Sequence, residues 1–127
     1  MSVIHVDTHV AAWLYAGDVG PLRRVRGSLE ANDLVISPMV ELELQFLFEI
    51  GRTRDPGTDV VRDMVSRVGL RVAGTASFHE VIQGAASLRW TRDPFDRLIV
   101  AHAITDGAKL LTSDRTIPRH CPSAFWA

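Results

Sequence analysis

An extended apolar run, Val3-Ile4-His5-Val6, ends in a carboxylate, Asp7, and a helical segment, Val10-Ala11-Ala12-Trp13-Leu14, starts at once. No other junction in the chain restricts the fold as much. A short run of this kind, opening a chain of alternating strands and helices, reads as a buried strand of a parallel sheet. Asp7 then sits at the carboxyl end of that strand, the edge where open α/β sheets place their ligands. Asp7 or Thr8 also suits the N-cap of the next helix, and Asp7 alone is the more ordinary as a cap.

The pattern repeats along the chain. Asn32-Asp33 marks a turn before a second buried strand, Leu34-Val35-Ile36. Ser37-Pro38 opens a helix with a capping residue followed by proline, and that helix runs to Ile50 and stops near Gly51. Val60, Val61, Met64, Val65 and Val68 form the stripe of another helix, ended by Gly69 and followed by a weaker strand, Leu70-Arg71-Val72-Ala73. Residues 77–87 read as a helix with Phe78, Val81, Ile82 and Ala85 inward. Asp93-Pro94 is a second cap-then-proline start, for a helix reaching Gly107. Lys109-Leu110-Leu111-Thr112-Ser113-Asp114 is another apolar run ending in a carboxylate, and Ser123-Ala124-Phe125-Trp126 suits a final edge strand. Leu22, Val25 and Leu29 recur at helical spacing; Arg23, Arg24 and Arg26 between them form either a solvated face or a phosphate-contacting one. Strands alternating with helices predict a three-layer α/β/α sandwich with a mainly parallel sheet, one domain over residues 1–127.

Composition narrows the function classes. A formal net charge of −1 gives no global pull toward nucleic acid, but Lys109 is the only lysine, and every other basic side chain is Arg. Guanidinium forks pair bidentately with phosphate, so the set is compatible with a phosphate-rich ligand; a coding bias explains it equally well. Cys121 is the only cysteine, which excludes an internal disulfide and suits a reducing compartment. No apolar run approaches membrane-spanning length, and the first residues lack a charged-then-apolar signal pattern, so the expected location is the cytoplasm.

Four acids are set apart by position. Asp7 and Asp114 each end an apolar run, Asp96 lies in the first turn of the helix begun at Asp93-Pro94, and Glu43 in the second turn of the helix begun at Ser37-Pro38. Strand ends and the helix starts that follow them converge on one edge of a parallel sheet. Acids gathered there repel one another unless a cation sits between them, and hard divalent cations such as Mg²⁺ prefer carboxylate and water oxygens. Each acid also has a structural reading, Asp96 as the N3 acid of a cap and Asp114 as the cap of the turn Arg115-Thr116-Ile117. Those readings leave Glu43 unexplained. It shares a helix row with Val40, Leu47 and Ile50, whereas Glu41 shares one with Pro38, Gln45 and Glu49. A carboxylate on an inward row costs several kcal/mol, roughly, unless something compensates it.

These pieces together resemble a PIN-domain ribonuclease, of the VapC type found in prokaryotic toxin–antitoxin pairs. The resemblance is carried by Val6-Asp7-Thr8, by Ile36-Ser37-Pro38 with Glu43-Leu44-Gln45-Phe46-Leu47, by Arg92-Asp93-Pro94-Phe95-Asp96-Arg97-Leu98-Ile99-Val100-Ala101, and by Leu111-Thr112-Ser113-Asp114-Arg115. The third segment is the most specific. The resemblance puts the family's acidic quartet on Asp7, Glu43, Asp96 and Asp114, with a supporting hydroxyl from Thr112 or Ser113. It implies a sheet of about five parallel strands, RNA as substrate, an antitoxin protein as partner, and a homodimer. Trp13, Phe46, Phe48 and Trp90 are the aromatic candidates for the dimer contact. The implied cofactor is Mg²⁺ or Mn²⁺, which activates water and steadies the leaving oxygen of a phosphodiester; the residues do not decide between one ion and two. No Ser or Cys nucleophile motif or zinc-like cluster competes with this chemistry. His5 and His102 read as structural.

Three rivals fit less of the chain. A haloacid-dehalogenase-like phosphatase expects a second Asp two residues after Asp7, where His9 stands. A receiver domain expects a paired acid before the phosphorylated Asp and a lysine after a late strand, and Lys109 precedes its strand. A degenerate PIN domain acting as a binding module does not require all four acids.

Overall fold

The computed structural model describes residues 2–74 and 76–127. Five strands, β1 (Val3–Val6), β2 (Asp33–Ile36), β3 (Arg71–Val72), β4 (Lys109–Leu111) and β5 (Ala124–Phe125), form one sheet in the order β3-β2-β1-β4-β5. Every pairing is parallel. β1 lies at the centre, with Ile4 beside Leu34 on one side and beside Lys109 on the other. Ile4, His5 and Val6 are all buried. Successive side chains of a strand point to opposite faces, so both faces of β1 are covered by helices, as a parallel sheet requires.

The helices are α1 (Thr8–Ala16), α2 (Val19–Leu22), α3 (Arg26–Ala31), α4 (Pro38–Glu49), α5 (Gly57–Val68), α6 (Phe78–Ala86), α7 (Pro94–Thr105) and α8 (Ile117–His120). Among the described residues no helix is long and apolar enough to cross a membrane. The chain runs from β1 outward to β2 and β3, then returns to the other side of β1 for β4 and β5. That reversal puts the switch point at the carboxyl ends of β1 and β4, and α/β sheets bind ligands in the crevice outside such a point.

Four details depart from the pattern read in the sequence. The stretch around Leu22, Val25 and Leu29 is not one helix: a 3₁₀ turn at Arg23–Val25 separates α2 from α3, although Leu22 and Val25 are buried as their spacing predicts. In α6, Val81 and Ala85 face inward, whereas Phe78 is 72% exposed and Ile82 39%. Val81 and Ala85 pack with Ala101, and a Cβ added at Gly84 would stand 3.6 Å from the Ala101 methyl. The small residues set the approach to α7 and turn the larger ones out. In α4 the innermost line is Val40 and Leu44, and Ile50 is exposed. The flank of Glu41 and Gln45 is not fully solvated either, because α5 begins against it. A Cβ at Gly57 would fall 2.5 Å from the Glu41 carbonyl oxygen and 2.6 Å from the Gln45 nitrogen, and the Gly57 N–H donates to Gln45 Oε1 at 2.9 Å. Finally, a short helix, α8, follows Asp114 where only a turn was expected.

His5 and His102 are buried under the sheet, their rings 5.5 Å apart. His5 Nε2 bonds Asp106 Oδ2 at 2.7 Å, and His102 Nδ1 lies 3.0 Å from the hydroxyl of Ser37. Burial lowers the His5 pKa despite the adjacent Asp106, so this ring is neutral in the folded protein near neutral pH.

Candidate functional site

Asp7 is the residue directly after β1, and its extended backbone makes it the N-cap of α1. Its Oδ1 accepts the Val10 N–H at 3.0 Å. The cap reading is borne out, and the cap uses one oxygen of the carboxylate. The other oxygen, Oδ2, accepts a hydrogen bond from the Thr112 hydroxyl, and Thr112 is fully buried. Of the two hydroxyls expected as supports, Thr112 is the one engaged with an acid. Its Oγ1 also accepts the Asp114 N–H at 3.1 Å, so one side chain links the two strand-end acids.

Asp114 is exposed, three residues beyond β4, and its Oδ1 accepts N–H groups from Thr116 at 2.7 Å and Ile117 at 3.2 Å. Its second oxygen has no intramolecular partner among the described residues. Glu43 projects from α4, half-buried, and accepts a hydrogen bond from the Thr8 hydroxyl at the first turn of α1. In the sequence Thr8 is named only as an alternative N-cap and as part of Val6-Asp7-Thr8, not as a partner of Glu43. Asp96 stands at N3 of α7, where the expected capping arrangement is only half made. Asp93 Oδ1 accepts from Phe95 N–H at 2.8 Å and Asp96 N–H at 3.3 Å, but the Asp93 N–H goes to Thr91 Oγ1. The Asp96 carboxylate is left free of that reciprocal bond.

The four acids lie close enough to disturb one another's ionisation. Burial raises the Asp7 pKa, opposed by the Thr112 hydroxyl and the Val10 N–H, with Asp114 adding to the rise. Burial also raises Glu43, with Asp93 and Asp7 contributing. Asp96 is pushed up to about 6, by burial first and then by Asp93, Glu43, Asp114 and Asp7. Asp93 thus belongs to the acidic edge as a fifth carboxylate; the sequence placed it only as a cap. His9, exposed beside Trp13, acts the other way and lowers Asp7 and Glu43. Among the described residues no Lys or Arg pairs with any of these five acids.

Carboxylate oxygens near one another with no Lys or Arg paired to them are the donors a hard divalent cation prefers. As the side chains stand, however, no three His, Cys, Asp or Glu of the described residues are gathered closely enough to hold an ion. Hydroxyl and amide donors instead stabilise Asp7, Glu43 and Asp114 where they stand. Mg²⁺ keeps several waters and takes one or two carboxylates directly, so a spread acidic edge fits it better than a closed cage.

A protein-family model, described as PIN domain, matches residues 4–121. No curated protein matches the chain. Among solved structures, VapBC2 from Rickettsia felis, in complex with a DNA fragment from its promoter, aligns with a TM-score of 0.68 at 17% identity, covering 100% of this chain and 98% of that one. A toxin–antitoxin complex from Klebsiella pneumoniae aligns at 0.67 and 16% identity over 96% and 95%. FitAcB from Neisseria gonorrhoeae aligns at 0.56 and 18% identity over 100% and 97%. At these identities the likeness is one of fold, and it includes the five-stranded parallel sheet. The matched stretch runs from within β1 to the end of α8 and takes in all four acids, and the chain belongs to the PIN domain family.

Proposed function

We propose that this chain is a metal-dependent endoribonuclease and the toxin member of a toxin–antitoxin pair. One observation carries the nuclease reading: Asp7, Glu43 and Asp114 all raise the Asp96 pKa, so the four acids are near neighbours, and no described Lys or Arg pairs with any of them. Asp7 and Asp96 are the residues we assign to direct contact with Mg²⁺ or Mn²⁺, with Glu43 and Asp114 completing the set directly or through water. When bound, the cation supplies a lowered pKa for water and charge to stabilise the leaving oxygen. The chain's own residues do the rest. Thr112 fixes the rotamer of Asp7 and the backbone of Asp114. Thr8 holds Glu43 at the crevice. The half-buried Asp96, whose pKa lies near 6, exchanges a proton close to neutral pH when no cation holds it ionised.

The toxin assignment rests on family membership and on the toxin–antitoxin complexes that share the fold. A partner Arg presented to the acidic edge would pair with the carboxylates and compete with the cation, which gives an antitoxin a simple way to silence the site. We assign a homodimer by the same family reasoning; Phe46 is 44% exposed, while Trp13, Phe48 and Trp90 are half-buried. Purified protein should cut RNA in Mg²⁺ or Mn²⁺ and stop in excess EDTA, and its expression alone should arrest growth unless Asp96→Asn is present. RNA cleavage that persists in EDTA overturns the metal-dependent reading. Equal arrest by wild type and the Asp96→Asn protein overturns the toxin reading.

A further inference from the structure

Two segments that frame the acidic edge also bring two rings together. Trp90 lies three residues before Asp93, within about 11 Å even for a fully extended chain. His120 ends α8, whose first residue, Ile117, is held by Asp114. The Trp90 and His120 rings stack with centroids 4.9 Å apart and planes 4° from parallel. Trp90 is half-buried against the core, whereas His120 remains exposed despite the stack, so its ring has surface left to offer. The Trp90 segment is not a loose loop: Arg97 of α7 bonds the Thr91 carbonyl at 2.8 Å. The stack is therefore tied to the same two elements that carry Asp96 and Asp114.

Arg89 and Arg92 flank Trp90, Arg115 and Arg119 lie on the His120 side, and all four are exposed. Among the described residues none of the four is in an ion pair, so their guanidinium groups are not taken up by an acid of this chain; the exposed Arg23, Arg24, Arg52, Arg54 and Arg71 are unpaired as well, but none of them adjoins the stack in sequence. An edge made of acids repels a phosphate backbone, so a strand cut there needs positive charge beside the acids to hold it.

We propose that the Trp90–His120 stack and these four arginines form a shelf that holds single-stranded RNA next to the acidic edge, an unstacked base lying on the His120 ring and phosphates on the guanidinium groups. The proposal rests on the RNA-cleaving reading and adds to it the residues that seat the strand, since aromatic platforms with basic surrounds take single strands. The test is fluorescence anisotropy with a labelled mixed-sequence RNA of about ten nucleotides, within the usual site sizes for such platforms. Asp7→Asn protein in Mg²⁺ is used to block cutting. Adding His120→Ala should weaken binding roughly tenfold without changing the salt slope, and His120→Phe should restore it. Arg115→Gln with Arg119→Gln should lower the slope of log affinity against log salt by about 1.4, the share of two single-strand phosphates. Unchanged affinity in the His120→Ala protein, or no rescue by phenylalanine, overturns the shelf; if the same variant loses affinity for a polypeptide instead, the surface is a protein contact. RNA held through His120 but never cut by wild-type protein removes the nuclease reading and leaves the shelf. RNA cut normally, with full affinity in the His120→Ala protein, removes the shelf alone.

Discussion

Two sets of ionisable side chains meet this sheet, and they are handled in opposite ways. Under β1, His5 and His102 share their surroundings with Asp106, and the neutral His5 ring bonds that carboxylate at 2.7 Å. At the carboxyl edge, Asp7, Glu43 and Asp96 all have raised pKa values, and among the described residues none has a cationic partner. The first set has an internal partner in Asp106, although His5 Nδ1 and His102 Nε2 are buried without a hydrogen bond; the second has no Lys or Arg partner among the described residues. Removing a member of the first should therefore cost stability, and removing a member of the second should cost function.

The largest expected effect is on catalysis. Asp7→Asn keeps the α1 cap and should lower RNA cleavage by a thousandfold or more, roughly the scale seen when a central electrostatic group is lost, with the melting curve close to wild type. Glu43→Gln should also cost orders of magnitude in cleavage while leaving metal-free stability unchanged or improved, because it relieves a conflict among like charges. Loss of folding in either variant would erase the distinction between the two regions. Next in size is His5→Ala, which leaves a cavity and takes away the ring bonded to Asp106; denaturant unfolding should show about 2–4 kcal/mol of lost stability.

The pH response sharpens the same contrast. Asp96 binds its proton more tightly folded than unfolded, so its contribution to stability is full below its ordinary value of 3.8 and is lost as pH rises through about 6. His5, with its pKa lowered, behaves oppositely: stability drops as pH falls through the ordinary value of 6.5. Thermal melts without metal should show both slopes, and Asp96→Asn should remove only the loss on the alkaline side. Added Mg²⁺ should raise the melting temperature more at neutral pH than near pH 5, since protonated acids bind it poorly. The smallest effect belongs to Glu41→Gln. Its side chain points to the flank of α4 that meets α5, away from the crevice, so cleavage should match wild type and stability should shift by no more than about 0.5 kcal/mol. A dead Glu41→Gln enzyme beside an active Glu43→Gln enzyme would reverse the assignment of the second acid.

Much of this was legible because the elements carry their own boundaries. Ser37-Pro38 and Asp93-Pro94 cap α4 and α7 where the sequence put them, and the run ending in Asp7 is the central strand. Periodicity failed where small residues decide the packing: Gly84 and Ala85 turn Phe78 and Ile82 of α6 outward, and Gly57 buries part of an α4 flank that its charges mark as solvated. In the site, residues adjacent to an acid in sequence were undervalued. Thr8 and Asp93 each have a complete local role, in the first turn of α1 and as the cap of α7, and only the three-dimensional neighbourhood shows that they also bear on Glu43 and Asp96. The contact of Trp90 with His120 joins residues thirty apart by stacking alone, and no pattern along the chain announces it.

The central claim is that the acidic edge, which no described Lys or Arg pairs, is built to take a divalent cation. Calorimetric titration of Mn²⁺ into the metal-free protein at neutral pH addresses it without depending on any RNA. The account predicts saturable binding by wild type, weakened at least about tenfold by Asp7→Asn and by Glu43→Gln, a loss typical of disturbed metal sites, and unaffected by Glu41→Gln. No binding to wild type, or equal binding by all four proteins, would contradict it.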